Sequence, residues 1–536
     1  MSLPVSIDVL IVGAGPVGVT LGNLLGRYGV SALIIDKAAD VLTHPRAIAL
    51  DNEALRILQM AGLSEDAFAR VAIPSVRMHS PYFGEFARFK TTGCLDGHPK
   101  LVTFFQPELE HALRRQMQAY PQIVLAQQTE LLTFTETATG VNAELQSADG
   151  SRHIVSARYL IGADGASSRV RELLGLGFQG STYIEDWLII DASKTAKPMD
   201  HIEFICDPKR PTPHMPAPDG RERWEFMMQP GETREQMLQP AKIRELLTPW
   251  AKADEVSIER GAVYRFHARV VSKFQKGRAF LIGDAAHITP PFVGQGLCAG
   301  LRDAANLGWK LAWVIHGRAT TQILDTYDTE RRQHAADMIG LATLMGKLIM
   351  PSNALKAFFT HGLVRLLRSL PVIGVWIDDL KMKPENRFHA GLLVKGKSTT
   401  ALVRGSHFPQ ALLRHADGTY AWSDDALGDH LSLVGFGIDP ATLLTADQLA
   451  RWQSIGGRCV QVCYRGQALY RSVGANVWED INGEMLPSLA PVGWLAVVRP
   501  DHSIITDGPS SDATKLIDAS IALLSPPTTP RQAQTI

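Results

Sequence analysis

The first chemistry legible in the chain lies in six residues near its start, Gly13-Ala14-Gly15-Pro16-Val17-Gly18. Glycines at this spacing suit a phosphate cradle. The first permits a tight turn, the second lets backbone approach a pyrophosphate, and the third lets the next helix lie close to the preceding strand. The positive end of that helix then meets the phosphate. Asp36 follows Gly13 by 23 positions, with Lys37 beside it. A carboxylate there can accept hydrogen bonds from a ribose hydroxyl, and it disfavours a 2′-phosphate. Together these residues point to a bound dinucleotide and leave FAD and NAD equally open.

Two further segments carry polar groups in glycine-rich surroundings. One runs Phe280-Leu-Ile-Gly-Asp-Ala-Ala-His287, then Pro290-Pro291 and Gly294-Gln-Gly-Leu-Cys-Ala-Gly300. The other is Gly162-Ala-Asp164-Gly165-Ala-Ser-Ser-Arg169-Val-Arg171. A carboxylate such as that of Asp284 can accept hydrogen bonds from hydroxyl groups. Asp164 is also readable as an ordinary acid-before-glycine turn. His287, at a helix start, is expected to be structural and is left out of the catalytic set.

The elements that must hold these residues follow from periodicity. Ile7–Val12 and Ser31–Ile35 are β-branched runs, and the residues between them carry apolar groups at helical spacing. This is a βαβ unit, so the fold class is α/β. Gln106–Tyr120 is expected to be helical, and Ile123–Gln127, Val141–Gln146 and Arg158–Gly162 to be strands. From about Tyr183 to Tyr264 the pattern becomes short alternating segments such as Arg223-Trp-Glu-Phe-Met-Met228, which predicts a mostly antiparallel sheet layered on the α/β unit. Helical periodicity resumes after Gly300. Residues 357–377 are apolar but broken by His361, Arg365, Arg368 and Pro371, so no span of about 20 apolar residues is present. Their apolar face is expected to pack on the protein itself rather than on a bilayer surface. The domain boundaries read as 1–182 and 265–393 for the nucleotide-binding part, 183–264 for the inserted sheet, and 394–536 for a small C-terminal domain.

Composition narrows the functional classes. The 536 residues exceed one ordinary core, and 45% hydrophobic with 20% charged residues is a globular composition. Lys plus Arg equals Asp plus Glu, 54 against 54, so no overall field favours nucleic acid or an acidic surface. Cys94, Cys206, Cys298, Cys459 and Cys463 form no metal spacing and no CxxC, which suits reduced thiols and a cytoplasmic location. No secretory leader is visible at the N-terminus.

With Asp303, Asn306-Leu307 and Trp309-Lys310-Leu311, the Gly283-Asp284 segment resembles the second flavin motif of the class A aromatic hydroxylases, the p-hydroxybenzoate hydroxylase type. The segment around Asp164 resembles that family's middle motif. Phrases such as Pro45-Arg-Ala-Ile-Ala-Leu-Asp-Asn-Glu-Ala-Leu55, Cys206-Asp-Pro-Lys-Arg-Pro211 and Pro230-Gly-Glu-Thr233 are similar to the branch acting on 3-(3-hydroxyphenyl)propionate. The resemblance implies a Rossmann-like FAD-binding domain with an inserted substrate sheet and a C-terminal thioredoxin-like domain. It implies FAD contacts at Gly13, Gly15, Pro16, Gly18, Asp36, Lys37, Arg46, Gln106, Asp164, Gly283, Asp284, Pro291, Gly294, Gly296 and Leu297. Where the family often has Asn, this chain has Cys298. Leu324-Asp-Thr-Tyr327 with Glu330-Arg331-Arg332 also matches, as packing and helix pairing.

The implied reaction is hydroxylation of a phenolic acid, 3-(3-hydroxyphenyl)propionate or 3-hydroxycinnamate, to the 2,3-dihydroxy product. In that family NADH or NADPH reduces FAD, and a flavin C4a-hydroperoxide formed from O2 transfers the oxygen. No second strand-GxGxxG-helix unit is seen, in keeping with transient nicotinamide binding. Candidate substrate contacts are Trp187, Ile189, Arg210, Trp224, Phe226 and Met228, with Tyr264 and His267 as candidates to polarise a phenol, against the ordinary reading that such residues fill a core or are solvated. A homo-oligomer is compatible with the sequence. Rival readings are hydroxylation of another phenol, a non-hydroxylating FAD-dependent reductase, a halogenase, disfavoured by the lack of a Trp-x-Trp-x-Ile-Pro segment, and a non-catalytic flavin-binding regulator.

Overall fold

The parallel sheet begins with Ser6–Val12, whose last four residues are buried. Helix Pro16–Arg27 follows, with proline in its first turn where a missing N–H costs nothing. It leads into Ala32–Asp36, which pairs parallel to the first strand. The computed structural model describes residues 3–42, 46–193, 199–250, 256–379, 381–468 and 476–525. Pro45 of the arginine-containing motif lies outside them. The chain is a mixed α/β fold in two compact units. The first comprises Met1–Gly26, Ser31–Ala304 and Arg332–Glu385; the second comprises Arg27–Val30, Ala305–Arg331 and Asn386–Ile536.

In the first unit, the nucleotide-side sheet runs in the order Ile123–Gln127, Ala32–Asp36, Ser6–Val12, Arg152–Gly162, Val141–Ser147 and Thr129–Glu136. Ala279–Leu281 pairs parallel to the end of Arg152–Gly162. That pairing brings the Gly283-Asp284 segment to the edge where the glycine loop also leaves its strand.

The second sheet is mostly antiparallel and larger than residues 183–264. Its strands run from Phe178 to Val271 with His287–Ile288 at one edge, and it recruits Ser75–Ser80 and Gly84–Lys90 from the first segment of the chain. The recruitment occurs through a parallel pair between Ile202–Ile205 and Ser75–Ser80, a non-local contact that periodicity does not encode. One face packs Leu188, Ile190, Trp224, Phe226 and Met228 against Met237, Ile243 and Leu247 of two short helices. The other carries Trp187 and Ile189, which cluster with Phe292.

Helices Ala354–Arg368 and Pro371–Asp378 depart from expectation. Ala357, His361, Gly374 and Ile377 are buried, but Leu355, Phe358, Phe359, Leu363, Leu366, Leu370, Val372, Val375 and Trp376 face solvent. Only one edge of each helix packs on the chain.

In the second unit, a seven-stranded sheet runs Tyr420–Trp422, Leu412–His415, Val477–Asp480, Gly457–Tyr464, Leu431–Phe436, Trp494–Val498 and Ile504–Pro509. All five cysteines are free thiols, Cys459 and Cys463 among them. Glu330 is the hub of a buried polar network. Arg499 donates to both its oxygens at 3.0 Å, and Lys310, Asn306 and the Leu392 amide donate at 2.8, 2.7 and 2.8 Å. Arg499 also pairs with Asp501, which accepts from the Trp309 indole. Burial alone would raise the Glu330 carboxyl, but Arg499 and Lys310 hold it down at about 2. Glu330 therefore does more than pair helices.

Two stability predictions follow from these buried groups. Replacing Arg499 with Met removes the buried cation shared by Glu330 and Asp501, so the second unit should lose about 3–5 kcal/mol in denaturant unfolding. The second concerns His214, which lies between Glu203 (3.1 Å) and Glu222 (2.7 Å) and stacks on Trp224. Burial would depress its pKa, but the two carboxylates outweigh burial and raise it. Burial would raise Glu203, and the bonds from His214 and Trp250 outweigh that and lower it. The His214 contribution is full below its unfolded value of about 6.5 and fades as pH rises through the folded value; that of Glu203 fades as pH falls below about 4.3. The gap in thermal midpoint between wild type and His214→Gln should thus be widest between about pH 4.5 and 6.5. A gap that does not change with pH would refute this.

Candidate active site

The glycine loop divides its labour as the spacing predicts. Gly13 has φ +109°, and a Cβ there would lie 2.4 Å from the Ala163 carbonyl oxygen. A Cβ on Gly18 would sit 2.1 Å from the Gly13 oxygen, whereas one on Gly15 would meet nothing within 4 Å. Close packing thus surrounds an open middle position, where backbone is accessible to a pyrophosphate. Asp36 accepts from the Ala14 amide at 2.7 Å and from Ala38 at 2.8 Å, so it braces the loop while each oxygen keeps acceptor capacity. Lys37 is exposed beside it. Arg114, not singled out in the sequence, donates to the Ala14 oxygen at 3.3 Å, and its buried Nε has no partner among the described residues.

At the opposite end, Gly283–Ala285 forms a single 3₁₀ turn with Gly283 at φ +59°. Asp303 pins this turn from within. It accepts from the Gly283 amide at 3.0 Å and pairs with His287 at 2.6 Å, both side chains fully buried. His287 also stacks on Phe274, so its place is structural. Asp284, by contrast, accepts no hydrogen bond from the described residues. Burial raises its pKa, opposed by the nearby His287 and Arg46 side chains. A carboxylate in that condition is suited to accept from polyol hydroxyls.

Helix Gly296–Ile315 opens after Pro291–Val293 and a left-handed Gly294 at φ +63°. Its first turn has no acidic residue, which leaves the Gly296 and Leu297 amides and the positive helix end available to an anion. Cys298 packs against the Ala49 and Gly294 carbonyls, and burial pushes its thiol up to about 12, so it is chemically inert. Arg302 fixes the helix by pairing with Asp51 and Glu53 at 2.5 Å each. Asp51 caps helix Asn52–Met60 and also receives Lys383. Burial would raise Asp51, but Arg302 and Lys383 hold it far below the usual carboxylate range.

Two expected cofactor contacts, Gln106 and Asp164, also hold neighbouring backbone. Gln106 accepts from the Arg46 and Ala47 amides at 2.8 Å and donates to Glu110, so it shapes the segment that carries Arg46. Asp164 accepts from the Ser168 hydroxyl at 2.5 Å and from the Arg169 and Val170 amides at 2.7 and 3.1 Å, which makes it a cap on the following helical turn. The Arg46 side chain itself is exposed, and its carbonyl accepts from Arg223.

The expected substrate set splits across the second sheet. Strand alternation puts Trp187 and Ile189 on the face with Phe292, and Trp224, Phe226 and Met228 on the helix-covered face. Arg210 is spent on Glu232 and the Met227 carbonyl. Tyr264 lies on the Phe292 face and accepts from Arg260. His267 is on the opposite parity of its strand, bonded to Thr182. Sequence reasoning passed over the charged part of the Phe292 face. Asp191 pairs with both Arg223 and Arg260, and Glu225 is buried beside them with 6% exposure. Burial pushes Glu225 up to about 7. The available signal was the alternation of Arg223 and Glu225 with Trp224 and Phe226.

Residues 6–342 match the family model described as FAD binding domain, and 405–523 match the HcaD C-terminal domain. The chain is 35% identical over 93% of both chains to the 3-(3-hydroxy-phenyl)propionate/3-hydroxycinnamic acid hydroxylase 2 of Burkholderia vietnamiensis. It is 36% identical to the corresponding hydroxylase of Klebsiella pneumoniae, over 85% of this chain and 82% of that one. The fold is similar to the flavin-dependent monooxygenase PieE, solved with FAD and substrate, with a TM-score of 0.82, 20% identity and coverage of 98% and 100%. Aklavinone-11 hydroxylase, solved with FAD and aklavinone, gives 0.75 at 22% identity over 97% of this chain and 99% of that one.

The open Gly15 position and the unpartnered Asp284 carboxylate fit a dinucleotide with a polyol arm. Asp284→Ala removes a charged acceptor, about 1.5–3 kcal/mol, so the dissociation constant for FAD should rise about 10- to 100-fold in flavin fluorescence titration. An unchanged constant would remove Asp284 from the site.

Proposed function

The chain belongs to the FAD-binding family of flavoprotein aromatic hydroxylases, and from that premise we propose that its substrate is 3-(3-hydroxyphenyl)propionate or 3-hydroxycinnamate, hydroxylated to the 2,3-dihydroxy acid. The observation that carries this reading is the 35% identity extending over 93% of both chains to a hydroxylase named for those two acids. FAD, once reduced by NADH or NADPH, supplies the activation of O2. The protein's own work is to bind, orient and keep water out.

We assign the phosphates to the Gly13–Gly18 loop with Pro16, the ribose to Asp36 and the ribityl arm to Asp284. Lys37, Arg46 and the Pro291–Leu297 segment, with Gly294 and Gly296, flank the ring. Arg114 steadies the loop, and Gln106 and Asp164 act through the backbone they hold. The phenol lies against the Phe292 face of the second sheet, among Trp187, Ile189 and Tyr264, where apolar walls exclude water. The negative propionate is drawn towards Arg260 and Arg223.

In this reading residues 1–182 and 265–393 form the Rossmann-like FAD-binding part, and 183–264 with the 75–90 hairpin form the substrate sheet. Residues 394–536 form a thioredoxin-like appendage, for which the parallel trio Leu431–Phe436, Gly457–Tyr464 and Val477–Asp480 beside two antiparallel strands speaks. It has no CxxC, so disulfide exchange is not its role. Five free thiols suit a reducing cytoplasm.

Purified protein is expected to be yellow. Given NAD(P)H, O2 and 3-(3-hydroxyphenyl)propionate, it should release an acid heavier by one oxygen, read by product mass. NAD(P)H oxidation that ignores the phenol and yields only hydrogen peroxide would sink this assignment in favour of a reductase.

A further inference from the structure

Strand Arg221–Met227 alternates charged and apolar residues, and its register settles where each points. Glu225 pairs across from Ile189, and Ile189 across from Ala262. It therefore shares a face with Trp187, Ile189 and Tyr264. Two positions before it, Arg223 reaches the Arg46 carbonyl at 3.0 Å. Two positions after it, Met227 opposes Trp187, whose ring lies 5.9 Å from that of Phe292. Glu225 thus occupies the strip of sheet between the two segments that flank the flavin ring.

Its hydrogen bonding is unlike that of the other buried acids. Asp191 takes up Arg223 at 2.7 Å and Arg260 at 3.2 Å. Tyr264 accepts from Arg260. These are the charged and titratable groups facing Glu225 from the neighbouring strands and its own, and each is engaged elsewhere. Glu225 accepts no hydrogen bond from the described residues, although it is only 6% exposed. A buried carboxylate without a donor is costly, and such groups are kept where a ligand supplies the donor.

We propose that Glu225 is the catalytic base of the hydroxylation: it accepts the hydroxyl proton of the phenolic substrate as the ring is oxygenated, then returns it. This rests on the reading of the site as a phenol hydroxylase. The phenolic O–H bond breaks and an Oε–H bond forms, which raises electron density at the ring carbon ortho to the oxygen. That carbon bonds one oxygen atom of O2 as the O–O bond breaks, and the other oxygen atom leaves as water, the two electrons for its reduction coming from NAD(P)H. The Oε–H bond then breaks to give the proton back to the ring oxygen, while the C–H bond at the oxygenated carbon yields its proton to solvent. A side chain titrating near neutral pH is matched to such a shuttle.

The test uses FAD-loaded wild type, Glu225→Gln and Glu225→Asp, with catechol yield, hydrogen peroxide yield and the pH dependence of kcat as readouts. Wild-type catechol formation checks the underlying reading; if no phenolic acid gives a catechol, both fall. In wild type, kcat should decline as pH drops below about 7. Glu225→Gln should lose that limb and on the order of 100-fold in kcat, with KM changed little and reducing equivalents diverted to peroxide. A ring-fluorinated substrate, whose phenol ionises more readily, should recover much of the loss. Glu225→Asp should keep the acid limb at reduced rate, and it carries the test if the Gln variant fails to hold FAD. Wild-type kcat and acid limb in Glu225→Gln, or a loss that the fluorinated phenol does not relieve, would overturn the proposal.

Discussion

A carboxylate taken partly or wholly out of water must find hydrogen-bond donors, and the layout of this protein follows from how each one does so. Asp36 takes the Ala14 amide of the glycine loop, Asp164 takes the amides of a helical turn, Asp303 takes the Gly283 amide and His287, and Asp51 takes Arg302 and Lys383. Each satisfied acid fixes a piece of backbone next to the proposed cofactor path. Two of these acids are left without donors among the described residues, Asp284 at the end of a parallel strand and Glu225 in the middle of the second sheet. In the proposed reading, the contrast separates the residues that build the site from those that meet what enters it.

The polar groups are also ordered by rigidity. Asp284 is carried by a turn clamped through Asp303 to helix Gly296–Ile315, and that helix is clamped through Arg302 to Asp51 and Glu53. Arg46 is carried by backbone held by Gln106 and Arg223. Both segments assigned to the flavin in the proposed reading are thus positioned by hydrogen bonds from side chains, the arrangement that keeps a site preorganised without strained loops.

What the sequence disclosed was local. The glycine loop, Asp36 and the Gly283-Asp284 turn were legible because each depends on neighbours within one strand and one turn, and the mostly antiparallel second sheet was legible from its alternation. The backbone bonds of Gln106 and Asp164 were not legible, because a motif letter is the same whether its side chain faces a ligand or holds the backbone. Trp224 and Phe226 were placed with Trp187 because strand parity fixes which residues of one strand share a face, while register between strands decides which face is which. The recruitment of residues 75–90 and the exposure of Phe359 and Trp376 depend on distant partners, to which a window of sequence is blind.

The Glu330 network ties distant stretches of the chain into one electrostatic unit. Glu330, Lys310, Asn306 and Trp309 belong to helices that follow the nucleotide-binding segments, whereas Arg499 and Asp501 arrive from the far end of the chain. A chain cut short of Arg499 would keep the Glu330 charge and lose its bidentate donor, so grafting this C-terminal region onto another scaffold would require those helix residues to travel with it.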